Sequence, residues 1–216
     1  MGDAAFVGGI VVARGVTVGP TPGELAARID ELVARRAAEA EFPPAQVKEG
    51  VRAMLRRGGF KPSGRNKPSS EYLAQAAREG RFPRINNLVD INNLLSLESG
   101  LPISLLDLDA VGPNPELRYG GEGERYVFNP SGQEIELRGL ICVCRADGGA
   151  SVPLGNAIKD SMAGKLKETT RDVIGVVYAT REAASVEEVG TLVREFGELL
   201  TRFGGAAAVE TEVVTG

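Results

Sequence analysis

The sequence predicts an α+β fold, and three observations carry that prediction. Apolar residues recur at helical spacing through residues 21–99. Short apolar runs separated by Gly, Pro, Asn and Asp fill residues 103–145. A strand–helix–strand pattern then closes residues 173–214. The 216 residues suffice for one sizeable core and are short for two, so a single domain over 1–216 is expected.

Residues 6–12 read as a buried strand. The turn Gly19-Pro20-Thr21-Pro22-Gly23 starts a helix reaching about residue 39, with Leu25, Ile29, Leu32 and Val33 on one face. Pro43 and Pro44 break the chain, and a second helix follows to Arg57, stopped by Gly58 and Gly59. Residues 61–68 carry loop-forming residues, and Ser69 is placed to cap a short helix ending near Gly80. The next helix spans 88–99 and is closed by Gly100 and Pro102. Strands are expected at 103–106, 116–119, 126–128, 135–137 and 140–144. Residues 146–170 are Gly-rich and polar and give no clear period. A strand follows at 173–179, then Ser185 and Glu188 form a capping box for a helix ending at Gly204 and Gly205, then a strand at 206–214.

Several chemistries are excluded by composition. There is no histidine, so Ser-His-Asp and Cys-His catalysis and His-based metal sites are ruled out. Cys142 and Cys144 stand two apart on an expected strand and point to one face. They read as small reduced hydrophobes; a disulfide there would need distortion, and two thiols alone do not close a zinc site. No metal and no cofactor are expected. A net charge of -4 argues against broad non-specific RNA binding but leaves room for a local basic patch. That patch is Arg52, Arg56, Arg57, Lys61, Arg65 and Lys67, a candidate contact for RNA phosphates or a solvated helix face and loop. No secretory signal and no membrane span is read, so a cytoplasmic protein without membrane contact is expected.

The stretch Arg84-Ile85-Asn86-Asn87-Leu88-Val89-Asp90-Ile91-Asn92-Asn93, followed by Gly100-Leu101-Pro102 and Asp107-Leu108, is long and specific. Gly59-Phe60-Lys61-Pro62-Ser63 precedes it, and Glu168-Thr169-Thr170-Arg171-Asp172-Val173 follows. Together these segments, over about residues 50–180, resemble the free-standing relatives of the editing (B3/B4) domain of the phenylalanyl-tRNA synthetase beta subunit. The resemblance implies a layered B3/B4-like domain with mixed, mainly antiparallel sheets and flanking helices. In the synthetase that domain hydrolyses mischarged tyrosyl-tRNA, its pocket taking the amino acid on the terminal adenosine.

By the same resemblance, Asn92 and Asn93 fall at the two polar pocket positions of the helix, the first of which is usually Thr. Asp90, three residues before Asn93, is expected to fix a neighbouring loop through backbone N–H groups. Ser104 falls where the family carries His; it binds a group or is a strand-edge serine, and without a base it is no nucleophile. The pocket-wall strand maps near Val143, Cys144 and Arg145, with Arg145 either meeting an anion or simply exposed. The pocket Glu falls near Met162, or after a small shift on Asp160, a candidate contact for a substrate amine. Thr170 matches the pocket Thr. Gly164-Lys165-Leu166 lacks the earlier glycine and the following hydroxyl of a phosphate loop.

Two functions follow as expectations. One is hydrolysis in trans of a mischarged aminoacyl-tRNA ester, an already activated bond for which a positioned water and backbone donors supply most of the chemistry. The other is a non-catalytic RNA- or amino-acid-binding module with a degenerate editing pocket. The partner is a tRNA end or a free amino acid.

Overall fold

The computed structural model describes residues 5–147 and 150–216, with side chains except at Arg65 and Asp147. The chain opens with β1 (Phe6–Arg14) and continues through α1 (Gly23–Ala38), α2 (Ala45–Arg57), α3 (Ser69–Arg78) and α4 (Asn87–Ser99). Then come β2 (Ile103–Asp107), α5 (Leu108–Val111), β3 (Pro115–Tyr119), β4 (Arg125–Val127), β5 (Glu134–Glu136), β6 (Ile141–Asp147) and β7 (Ala150–Asn156). The chain ends in β8 (Asp172–Thr180), α6 (Val186–Gly204) and β9 (Ala208–Thr215).

Four strands form the main sheet in the order β2-β8-β1-β9. β1 runs antiparallel to both β8 and β9, so those two are parallel and α6 crosses over from one to the other. β3, β6 and β7 make a second antiparallel sheet, while β4 and β5 pair as a separate ribbon. The α+β class expected from the sequence is the class observed.

Apolar layers lie on both sides of the main sheet. On one, Val189, Val193 and Phe196 of α6 press onto β1 and β8 over Gly9 and Gly175. On the other, Leu106 of β2 reaches Gly155 of β7 and Gly164 beyond it. The capping box of α6 is complete: Glu188 N–H donates to Ser185 Oγ over 3.1 Å, and Ser185 N–H to Glu188 Oε2 over 2.7 Å.

α4 packs against α1, α3, α6 and β2. Leu88, Ile91, Leu94, Leu95 and Leu97 are each 0% exposed and fill the core around the helix. Each contributes about 1.5–3 kcal/mol relative to exposure. Polar residues pin the helix start. Asn86 Oδ1 accepts from Val89 N–H at 2.9 Å. Asn87 accepts from Gly19 N–H and donates to the carbonyls of Thr17 and Phe203, all at 2.9 Å. Asp90 accepts from Ile85 N–H at 2.9 Å and from Thr21 Oγ1 at 2.7 Å, the loop-fixing role expected for it. Gly100, at φ 76, ends the helix.

Three elements differ from expectation. Pro68, not Ser69, occupies the cap of α3; Ser69 is its first residue, and its N–H donates to Ala157 O at 2.9 Å. α5 is a single turn seeded by Asp107, whose Oδ1 accepts from Asp109 N–H at 2.9 Å. β7 was illegible because Pro153 and Gly155 break its pattern. Both are tolerated on an edge strand with a register shift opposite Val143 and Cys144.

Candidate functional site

A cleft of about 1140 Å³ opens between the first turn of α3, the segment before α4, one face of α4, β2, the β4–β5 ribbon and the loop after β7. Val89, Asn92 and Asn93 stand three and four positions apart and so share the α4 face that lines it. Asn86 lines it from the cap position, whereas Asn87 and Asp90 turn to other parts of the fold. One asparagine-rich motif thus divides into a structural face and a cleft face.

Asn92 is 8% exposed and its Oδ1 has no hydrogen-bond partner. Its Nδ2 lies 3.4 Å from Asn93 Oδ1 and 3.5 Å from Ile103 O. Exchanging the amide oxygen and nitrogen would set oxygen against two oxygens, so geometry fixes the orientation. Asn92 therefore offers a buried acceptor that lacks a donor.

Asp160 is half-buried and also lines the cleft. Burial pushes its pKa up to about 7, against the lowering effect of the Ser104 hydroxyl, backbone donors at Asn156 and Leu105, and the Lys165 charge. Ser104 Oγ donates to Asp160 Oδ1 at 2.6 Å and lies 3.1 Å from Tyr178 Oη and 3.2 Å from Asn156 O. Asn156 Oδ1 accepts from the N–H groups of Ile158 and Lys159 at 2.8 and 3.0 Å, shaping the loop that carries Asp160. Tyr126 Oη donates to Lys159 O at 2.5 Å and ties the ribbon to that loop.

The rim is cationic and partly aromatic. Lys67, Lys159 and Lys165 line it, with Lys165 Nζ donating to Phe128 O at 2.7 Å and Lys159 Nζ 4.1 Å over the Phe128 ring. Tyr72 and Ile85 stand exposed at the mouth, and Arg81 lies 5.5 Å over the Tyr72 ring.

Of the seven substrate-binding candidates, Asn92, Asn93 and Asp160 line the cleft. Ser104, 1% exposed, sits behind Asp160 and not on the surface of the cleft. The other three lie elsewhere. Thr170 Oγ1 donates to Asp107 Oδ2 at 2.6 Å, at the opposite end of β2 from the Ile103 that faces Asn92. The expected convergence of Asn93 and Thr170 on one hollow is corrected accordingly. Cys144 is 0% exposed between strands, and burial pushes its thiol and that of Cys142 up, leaving both as neutral apolar fill. Both cysteines are free thiols. The stem of Arg145 lies beside Gly112, outside the cleft.

The basic patch is largely engaged within the fold. Arg52 makes two 2.7 Å bonds to Glu71; Arg56 pairs with Glu49 at 3.2 Å and Arg57 with Glu182 at 3.4 Å. Lys61 is exposed, the side chain of Arg65 lies outside what the structure describes, and Lys67 donates to Gln75 at the cleft. Sequence reasoning missed Tyr178, Tyr126, Asn156 and Gly155. No spacing rule flags them; only the pairing of β2 with β8 sets Ser104 beside Val176 and so brings Tyr178 near.

Fold and cleft together define a layered α+β domain whose recessed polar site is built by its central helix, an edge strand and a loop. The profile of the B3/4 domain matches residues 59–189, more than half of the chain, and the chain belongs to that family. The phenylalanine–tRNA ligase beta subunit of Pseudomonas putida is 30% identical over 108 residues, 50% of this chain and 13% of that subunit. Its counterpart from Bartonella henselae is 29% identical over 138 residues, 64% of this chain and 17% of the subunit. The chain thus spans a small part of the length of these relatives. An N-terminal fragment of the phenylalanyl-tRNA synthetase beta-subunit from Pyrococcus horikoshii aligns with a TM-score of 0.45 at 12% identity, over 58% of this chain and 40% of that one. Among the described residues, no helix is long and apolar enough to cross a membrane.

Proposed function

We propose that the cleft receives the aminoacylated end of a tRNA and hydrolyses the ester in trans. The observation that carries this reading is the pairing of acceptors inside with donors outside. Asn92, whose Oδ1 lacks a donor, and Asp160 both line the cleft, where an α-ammonium group supplies protons. Lys67, Lys159 and Lys165 face the rim, where phosphate charge is met. Tyr72 with Arg81 offers a surface on which a terminal base stacks. Family membership and relatives that are subunits of a tRNA ligase favour a tRNA end over other amine-bearing esters.

The chemistry asked of the protein is modest. The ester is already activated, and the ribose hydroxyl next to it serves as a proton partner. Holding that bond against a water accelerates the reaction through proximity. Incubation with a panel of mischarged tRNAs tests the reading: ester loss faster than in buffer is expected for at least one, and unchanged lifetimes across the panel overturn it.

A second reading keeps the ligand and drops the reaction: an amino-acid- or RNA-binding module. The placement of Ser104 favours it, because this serine lies behind Asp160 and presents no nucleophile to the cleft. Tight binding of an aminoacylated end with an unchanged ester lifetime selects this reading.

A further inference from the structure

Ser104 Oγ faces three oxygens and carries one proton. Asp160 Oδ1 is at 2.6 Å, Tyr178 Oη at 3.1 Å and Asn156 O at 3.2 Å. A serine hydroxyl donates once and accepts twice. With Asp160 ionised, Ser104 donates to the carboxylate and accepts from Tyr178. With Asp160 protonated, Ser104 accepts from both the carboxylic acid and Tyr178, and its own proton turns to Asn156 O. Every buried group is satisfied in either state, so the chain serves the carboxyl charged or neutral without moving a heavy atom. Ser104 is 1% and Tyr178 0% exposed, so water does not compete for these bonds.

We propose that Ser104 and Tyr178 are positioning residues of the cleft. They form a buried hydroxyl chain that clamps one oxygen of Asp160, presents the other to the ligand, and makes the site selective for a protonated amine. The identity of the ligand rests on the aminoacyl-ester reading above; the hydroxyl chain does not. Gly155 supports the clamp, because a Cβ there would lie 2.8 Å from Asp160 Oδ1. The clamped oxygen is held from the β2 side by Ser104 and bounded by β7.

The groups around Asp160 leave its charge as the variable one. Burial pushes the phenols of Tyr126 on β4 and Tyr178 on β8 well up, and raises the thiols of Cys142 and Cys144 on β6, so all four are neutral at ordinary pH. Lys165 and the neighbouring Lys159 bring positive charge from the loop side. An ammonium ligand entering next to the carboxyl favours its ionised form, so binding near neutral pH releases a proton.

The test begins without ligand. Asp160 is titrated by NMR through a 13C-labelled carboxyl in the wild type, Ser104→Ala, Ser104→Thr and Tyr178→Phe proteins. The midpoint should rise in Ser104→Ala, rise less in Tyr178→Phe, and stay near the wild-type position in Ser104→Thr. Binding is then measured for a non-hydrolysable 3′-aminoacylamino-adenosine and its desamino counterpart. The amine-bearing probe should bind the wild type roughly tenfold or more tightly, with proton release. Ser104→Ala should lose that preference near neutral pH, while Ser104→Thr keeps it. Midpoints that do not move, or an equal loss for both probes at every pH, overturn the proposal. If neither probe binds the wild type, amine selectivity and the aminoacyl reading both fall, while the ligand-free midpoints still decide the hydroxyl chain.

Discussion

Thr170 and Asp107 are joined by a 2.6 Å hydrogen bond that locks the segment before β8 onto the end of β2. The same carboxylate holds the first turn of α5, and Thr170 Oγ1 also accepts from Lys167 N–H at 2.9 Å. Thr170 is 2% and Asp107 5% exposed, so the pair is structural by position. Thr170→Val should cost on the order of 1–3 kcal/mol in denaturant unfolding by stranding a buried carboxylate oxygen. Thr170→Ser should recover most of it. Neither should change ligand affinity at temperatures where the fold is intact.

Asp160 links function to stability through pH. Its folded pKa is raised by burial from the ordinary 3.8 to about 7, so the folded state keeps a proton that the unfolded chain has lost. The stability from this group is fully present below the unfolded value and is lost as pH rises toward the folded one. Asp160→Asn mimics the neutral carboxyl. It should raise the unfolding free energy above about pH 7 by on the order of 1–2 kcal/mol, after allowing for screening through the cleft, and change it little near pH 4. The same variant should lose binding of amine-bearing probes. Unfolding curves at the two pH values check the sign.

Gly155 has no room for a side chain. A Cβ would stand 2.8 Å from Asp160 Oδ1 and 2.9 Å from Leu106 Cδ1. Gly155→Ala should destabilise by about 1–3 kcal/mol and weaken ligand binding, because the displaced group is the cleft carboxylate. Thermal unfolding and probe titration report the two effects separately.

The asparagines of α4 should separate by role. Asn87→Ala removes three 2.9 Å bonds joining α4 to Gly19, Thr17 and Phe203, and should cost on the order of 3 kcal/mol. Asn92→Ala breaks only contacts of 3.4 and 3.5 Å and should cost less than about 1 kcal/mol, yet it deletes an acceptor of the cleft. Chemical unfolding and ligand titration of both variants compare them directly.

The basic residues should separate too. Arg52→Ala breaks a partly buried two-bond pair with Glu71 and should lower Tm without altering the salt dependence of tRNA binding. Lys165→Ala, at the cleft rim, should reduce that salt slope by about one counterion. Affinity measured across a salt series checks both.

Local pattern carried much of the architecture. The capping box at Ser185 and Glu188 and the helix closed by Gly100 were legible because each rests on residues a few positions apart. The motif holding Asn92, Asn93 and Asp90 was likewise visible, since a single helix fixes which of its faces they share. What the sequence left open depended on contacts between distant segments. β7 hid behind Pro153 and Gly155, which only an edge position with a register shift accommodates. Thr170 and Cys144 match pocket positions by sequence, yet strand pairing carries one to the far end of β2 and buries the other between strands. Tyr178 meets Ser104 across a sequence separation of 74 residues, and no local propensity encodes that meeting. Helix and turn signals act over a few bonds, whereas the cleft is where three remote segments meet, so sequence named its parts and the packing of the sheets chose among them.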